Sequence, residues 1–363
     1  MALVSIASAS AVASDVITIE DIPNIQSVRS NVISPNGDQV AFTRSLPRKL
    51  YVDKNGASYS ELFITDSKKG NTRAFITGNV NVSALEWSAD GKFVYFLAKF
   101  TGEKFTQLYR IPIDGGESQK VLALKETSIS RYDISPDGKQ VALLAMPAKD
   151  KSEKKLKELG FKAEVYEMDL KNKQLFVTDL TMQDKAVKLE PVNIAGYVSD
   201  MNWAADNKQL LIKTQPTSLI DDSYTKAQWH VMNLAEQKVT MSIATEGKLG
   251  TAEFSYSGKH IAVIGAQDKH DPATGRLYLA DVNTGKIQDW LPNFAGHVSD
   301  IEWSHKSDKL NFIAHVGTES IVANIKPGTN SYKTQVKAGK IIASTLSISN
   351  TDKTLAVKGH SAT

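Results

Sequence analysis

The chain has 363 residues, a formal net charge of +3, 23% charged residues and no cysteine. That balance gives no basic footprint for nucleic acid, and no apolar run approaches a membrane span. The lack of cysteine excludes disulfides, thiol catalysis and cysteine-ligated metals, and leaves the redox compartment open.

Residues 1–13 are small and apolar and end in Ala11-Val12-Ala13 before Ser14-Asp15, which fits an A-x-A cleavage site. A basic n-region and a longer apolar core are missing. The stretch therefore reads either as the tail of an export signal that starts further upstream, or as a disordered N-terminus rich in Ala and Ser. The first reading makes the protein periplasmic or secreted, with processing near Ser14. Residues 14–30 form a lead-in, able to supply an edge strand or one helical turn.

From residue 31 onward one short phrase returns seven times. Its fullest forms are Ile33-Ser34-Pro35-Asn36-Gly37 and Ile134-Ser135-Pro136-Asp137-Gly138. Trp87-Ser88-Ala89-Asp90-Gly91 and Phe254-Ser255-Tyr256-Ser257-Gly258 are close variants, and Trp203-Ala204-Ala205-Asp206-Asn207, Trp303-Ser304-His305-Lys306-Ser307 and Ile348-Ser349-Asn350-Thr351-Asp352 are worn copies. Counted from the Ser (Ala204 in the fourth copy), the spacings are 54, 47, 69, 51, 49 and 45 residues, near the period of propeller repeats. The residue before the Ser is always large and apolar, and the one before that is mostly polar, as in a strand with one buried face. Three residues after the Ser, six of the seven copies carry Gly, Asn or Asp, which reach positive φ at low cost. Aliphatic residues follow at six (Val40, Val94, Val141, Leu210, Ile261, Leu310, Leu355), so each copy is a strand-turn-strand hairpin.

After each of the first six hairpins a second strand pair is expected. It begins at Leu62-Phe63-Ile64, Leu108-Tyr109-Arg110-Ile111, Val165-Tyr166-Glu167-Met168, Trp229-His230-Val231-Met232, Leu277-Tyr278-Leu279 and Ile321-Val322-Ala323. Two hairpins per period make a four-stranded sheet. The expected fold is all-β, a seven-bladed β-propeller of four-stranded antiparallel blades over 31–363, with the last blade incomplete. Only Lys358 to Thr363 follow Leu355-Ala356-Val357, too few for an outer pair. The 69-residue interval holds a helical insertion at about 147–162. Asp150-Lys151-Ser152-Glu153 has capping-box spacing, Leu156 and Leu159 give a thin apolar stripe, and Gly160 suits a C-terminal cap. Its lysines form either a solvated face or a docking element beside a partner domain. Ala195 to Trp203 recurs as Ala295 to Trp303 at an offset of 100 residues, two repeats; Gly296-His297 there is read as architecture rather than chemistry.

Val165-Tyr166-Glu167 after Lys157-Glu158-Leu159-Gly160-Phe161, the Ser-Pro-Asp-Gly phrases and the opening Ile17-Thr18-Ile19-Glu20-Asp21-Ile22 together resemble the non-catalytic propeller of S9 serine peptidases. That is the prolyl oligopeptidase family, in its bacterial acylaminoacyl-peptidase-like branch, and the likeness covers roughly 16–357. It implies a propeller that precedes an α/β-hydrolase catalytic domain of the same parent polypeptide and restricts access to short peptides. Ser-Pro-Asp-Gly hairpins also occur in TolB-type propellers, which implies the alternative of a stand-alone TolB-like or WD40-like scaffold that binds protein. TolB-type proteins place a small α/β domain before the propeller, and the short lead-in here departs from that.

No catalytic, cofactor-binding or metal residue is assigned. The nearest string to a G-x-S-x-G elbow is Gly359-His360-Ser361-Ala362-Thr363, which has Thr where the last Gly belongs. The seven His are scattered without an H-x-x-x-H pair, and Asp268-Lys269-His270-Asp271 and Asp221-Asp222 read as exposed loop charges. The 363 residues carry no catalytic triad. The expected function is that of a substrate-gating propeller of a periplasmic serine peptidase, without cofactor, nucleic-acid or membrane partner, as a fragment of a longer protein.

Overall fold

Each copy of the Ser phrase folds into a tight hairpin, and the phrase supplies the bonds that close it. Ser34 Oγ accepts from Gln39 N at 2.9 Å and donates to Asn36 at 2.7 Å; Ser88 and Ser135 repeat both bonds with Phe93 and Asp90, and with Gln140 and Asp137. In the copy that has Ala204, Asp206 alone accepts from Lys208 N and Gln209 N. Gly37, Gly91, Gly138, Asn207, Gly258 and Asp352 all have positive φ, as the sequence predicts; Ser307 is the exception. In that same copy the buried Ser304 hydroxyl has no partner among the described residues.

In a computed structural model the structure describes residues 2–4, 18, 19, 21–148, 150–163, 165, 167, 168, 170–183, 185–270, 275–339 and 341–361. A short strand, β1 (Ala2–Val4), comes first, and a 3-10 turn at Ile22–Asn24 precedes the first blade. Blade one is β2 (Ser27–Ile33), β3 (Gln39–Leu46), β4 (Tyr59–Asp66) and β5 (Thr72–Ile76). Blade two is β6 (Ser83–Trp87), β7 (Phe93–Ala98), β8 (Gln107–Pro112) and β9 (Gln119–Leu122). Blade three has three strands, β10 (Ile129–Ile134), β11 (Gln140–Ala145) and β12 (Gln174–Asp179), with helix α1 (Lys151–Glu158) between the last two. Blade four is β13 (Tyr197–Trp203), β14 (Gln209–Gln215), β15 (Gln228–Asn233) and β16 (Lys238–Ile243), with the short α2 (Ile220–Thr225) after β14. Blade five is β17 (Leu249–Phe254), β18 (His260–Ala266), β19 (Gly275–Asp281) and β20 (Ile287–Asp289). Blade six is β21 (His297–Trp303), β22 (Leu310–Val316), β23 (Glu319–Ile325) and β24 (Lys333–Val336). The seventh phrase forms the hairpin β25 (Ile342–Ile348) and β26 (Thr354–His360).

The expectation of seven blades is corrected to six, counting as a blade a meander of at least three consecutive antiparallel strands. The seventh hairpin stays a hairpin: no outer strand follows β26 among the described residues, and its third neighbour is β1, aligned parallel to β26. The described residues of 16–29 do not lend it a strand, and Ser27–Ile33 is the inner strand of blade one. A second correction concerns blade three. Val165 and Met168 are exposed and lie outside any strand, and the third strand is Gln174–Asp179 instead. Most of 1–13 lies outside the described residues.

The core sits between sheets. Ile33, Trp87, Ile134, Trp203, Phe254, Trp303 and Ile348 are all buried. Trp203 packs with Ala142, Leu144 and Leu175 of blade three, and Trp303 with Leu277 and Leu279 of blade five. The near-duplicate strands β13 and β21 carry the same bulge, between Val198 and Asp200 and between Val298 and Asp300.

Candidate docking face and axial carboxylates

The inner strands converge on a common axis. The polar column there, Glu86, Asp133, Glu253 and Glu302, looks from the sequence like the solvated side of a half-buried strand. Instead each carboxylate reaches across a seam and accepts from the backbone N–H of the apolar residue one inner strand further on. Glu86 accepts from Ile134 (3.3 Å), Asp133 from Trp203 (2.6 Å), Glu253 from Trp303 (3.4 Å) and Glu302 from Ile348 (3.1 Å). Ser347 does the same for Ile33 (3.2 Å), which joins the hairpin to blade one and closes the ring. The indoles return the bond, with Trp87, Trp203 and Trp303 Nε1 donating to the carbonyls of Val32, Asp133 and Glu253.

Burial sets the charge state of these groups. Desolvation pushes Asp133 up to about 7, Glu253 to about 8 and Asp300 to about 6, and drives Glu86 and Glu302 well above the usual carboxylate range. The negative charges of Asp300 and Asp133 raise Glu253 of blade five further. The cations that act on these acids are Arg131, ion-paired with Asp200 at 2.8 Å and lowering Glu86, Asp133 and Glu253, and Lys358, which lowers Asp300. Such acids hold seams and keep the axis close to neutral.

The two ends of the ring differ. The Ser-phrase turns define one face, and the connections between second and third strands of each blade define the other. Exposed large apolar side chains gather on that second, loop face: Leu50, Tyr51 and Val52 after β3, Leu156, Leu159 and Phe161 in the insertion, Ile220 and Tyr224 on α2. A cavity of about 420 Å³ lies beside the first loop, between Asn24 and Gln26 of the lead-in and Pro47, Val52 and Tyr59. Helix α1 starts as the sequence predicts. Asp150 caps it, although through Ser152 N rather than through a reciprocal box, and Glu153 pairs with Lys157 and Lys171. No residue of α1 is buried, so its apolar edge is bare.

The other sequence candidates fall apart chemically. Gly359 and His360 lie within β26, paired to β25, so they form a strand and not an elbow; Ala362 and Thr363 lie outside the described residues. Asp222 accepts from Thr217 and pairs with Lys226 at 2.8 Å, tying down the loop around α2. Asp268 accepts from His270 N, and Asp271 lies outside the described residues. His297 Nδ1 accepts the Gly275 N–H at 2.7 Å, an architectural bond. Among the described residues no three His, Asp or Glu gather as metal ligands.

Among curated proteins, 113 residues of the chain are 33% identical to dipeptidyl-peptidase 5 of Porphyromonas endodontalis, covering 31% of this chain and 15% of that protein. Another 126-residue match, 29% identical, is to the uncharacterized peptidase YuxL of Bacillus subtilis, covering 34% of this chain and 18% of that one. The resemblance is to peptidase propellers. Among solved structures, the acylaminoacyl peptidase of Pyrococcus horikoshii superposes at a TM-score of 0.66 and 15% identity, covering 94% of this chain and 50% of that one. The propeller domain of the trilobed protease from Pyrococcus furiosus gives 0.59 at 13% identity, covering 89% and 88%. A TolB from Agrobacterium tumefaciens gives 0.52 at 16%, covering 80% and 95%. At these identities the structures share the fold. The matches span less than a fifth of the curated relatives and half of the acylaminoacyl peptidase. No family model matches the chain.

Proposed function

We propose that this propeller is the substrate-gating domain of a periplasmic serine peptidase of the prolyl oligopeptidase family, working with an α/β-hydrolase catalytic domain on its loop face. The peptidase names of the sequence relatives carry the reading. The exposed apolar side chains of the loop face, Leu50–Val52 and the bare edge of α1, support it because exposed apolar clusters mark interaction sites. The test compares the product of the complete reading frame with residues 1–363 alone, using short acyl-aminoacyl and dipeptidyl substrates and a serine-directed phosphonylating probe. The complete product is expected to hydrolyse and label outside residues 1–363. A reading frame that stops after Thr363, with no labelling, overturns the reading. Export is tested by cell fractionation and N-terminal sequencing: a mature protein beginning near Ser14 in the periplasm is expected, and an intact cytoplasmic one counts against it. The TolB likeness favours a second reading, a protein-binding scaffold, which the stop codon would raise.

A further inference from the structure

Blade three lacks a fourth strand, and the edge it leaves is built like a paired one. The N–H of Leu180 donates to Lys139 O, as Leu234 does to Lys208 O in blade four. That bond sets the alternation of the ladder, so Val177 stands in blade three where Val231 stands in blade four, three residues earlier on the third strand. Val231 turns its N–H and C=O outward and pairs with Met241 of β16. At Val177 the same groups have no backbone partner among the described residues. The neighbouring outward carbonyls are taken, Leu175 by Val192 N and Asp179 by Thr181 N, so the opening is short. The chain that would have filled it goes elsewhere: Gln183 N and Val187 N donate to Val121 O and Ala123 O at the edge of blade two.

A cavity of about 510 Å³ lies beside this edge, walled by Val177, Val192 and Ala235 and rimmed by Glu190, Asn207 and Asn233. Open strand edges pair with extended chain, and main-chain bonds then give affinity while alternate side chains fill pockets. We propose that blade three binds an extended peptide segment of another polypeptide as its fourth strand, paired to Val177 and seated in the cleft between blades three and four. The cleft selects a polar side chain facing Asn207 and Asn233, flanked by backbone on the Val177 edge. This site is independent of the gating role.

The probe is a fluorescein-labelled synthetic peptide of residues 237–243, the strand that pairs with Val231, read by anisotropy against the whole chain. Saturable binding is expected. N-methylation of the peptide at Met241 should weaken it about tenfold, as loss of one buried main-chain bond does. Val177→Pro removes only an outward N–H on an edge strand, where proline is tolerated, and should weaken binding to the same degree. Ala235→Trp fills the exposed side of the cleft and serves if Val177→Pro fails to fold. The proposal is overturned by absence of saturable binding, by equal binding of all these pairs, or by hydrogen exchange at Val177 as slow as at Val231 in the free protein, which would mean the edge is already covered.

Discussion

At the scale of single residues, the seams at Trp203 and Trp303 each rest on an indole and a carboxylate, and the two can be separated. Trp203 is buried and donates to Asp133 O. Trp203→Ala should cost about 3–5 kcal/mol, as large aromatic deletions from cores do. Trp203→Phe keeps most of the packing and strands one carbonyl, at about 1–3 kcal/mol; urea denaturation orders the two. Glu253 tests the charge. Its folded pKa of about 8 lies above the ordinary 4.5, through burial first and then Asp300 and Asp133, against Trp303 N–H and Arg131. The folded state therefore holds the proton more tightly. This contribution to stability is fully present below the unfolded pKa and is lost as pH rises through about 8. Glu253→Gln removes the titration and keeps an acceptor for Trp303 N–H. Its denaturation midpoint relative to the parent should be higher at pH 9 than at pH 5. A pH-independent difference would mean Glu253 is not titrating in that window.

Among elements, the ones legible in the sequence are those whose signal is local. The hairpin phrase encodes its own Ser and Asp bonds and its positive-φ turn, so its strands are found in all seven copies, including the worn one at Asp206. Five of six third strands were equally legible, because their connecting loops are much shorter than the 146–173 stretch of blade three and leave fewer registers. Blade three was not. Val165-Tyr166-Glu167-Met168 and Gln174–Asp179 both carry strand-forming residues, and only packing decides between them: Leu175 and Phe176 are buried between blades, while Val165 and Met168 are not. The axial carboxylates were missed for a similar reason, since alternation says which side a residue takes and not whether that side meets water. Their signal was the acidic bias of the column. The helix α1 is local again, and its isolation is testable. Asp150→Ala should cost the helix about 1 kcal/mol. Because α1 buries nothing, the global melt should stay within about 0.5 kcal/mol. Trypsin should instead nick faster at Lys154 or Lys155; an unchanged cleavage rate with a lowered melt would place α1 in the cooperative core.

In the whole molecule the ring is only as strong as its closing seam, between the β25–β26 hairpin and blade one. Between the six blades a sheet of three or four strands meets another, the hairpin meets blade six at one further seam, and carboxylates span four of these seams. At the closure the partners are hydroxyl and amide side chains: Ser347 Oγ accepts Ile33 N–H, and Thr345 Oγ1 bonds Asn31 Oδ1 at 2.7 Å. Among the described residues the charged contribution is Lys358 Nζ, donating to Arg29 O at 2.9 Å from an exposed position. Neutral side-chain bonds contribute about 0.5–1.5 kcal/mol each, and the hairpin brings a narrow apolar face, with Ile348, Leu355 and Val357 against Ile313, Val322 and Val336 on the blade six side. On the blade one side the buried cluster is only Ile33, Val40 and Ala356. Local opening follows the seam with the least buried contact. Amide exchange should therefore be faster for the seam-facing N–H of Ile33 than for those of Trp203 and Trp303, which sit at the same position of the phrase. Asn31→Ala should widen that difference and leave Trp203 unchanged, because the perturbation stays at the closure. Equal protection of Ile33, Trp203 and Trp303 would mean that the ring opens as one unit and that its hairpin closure is no weaker than a seam between two full blades.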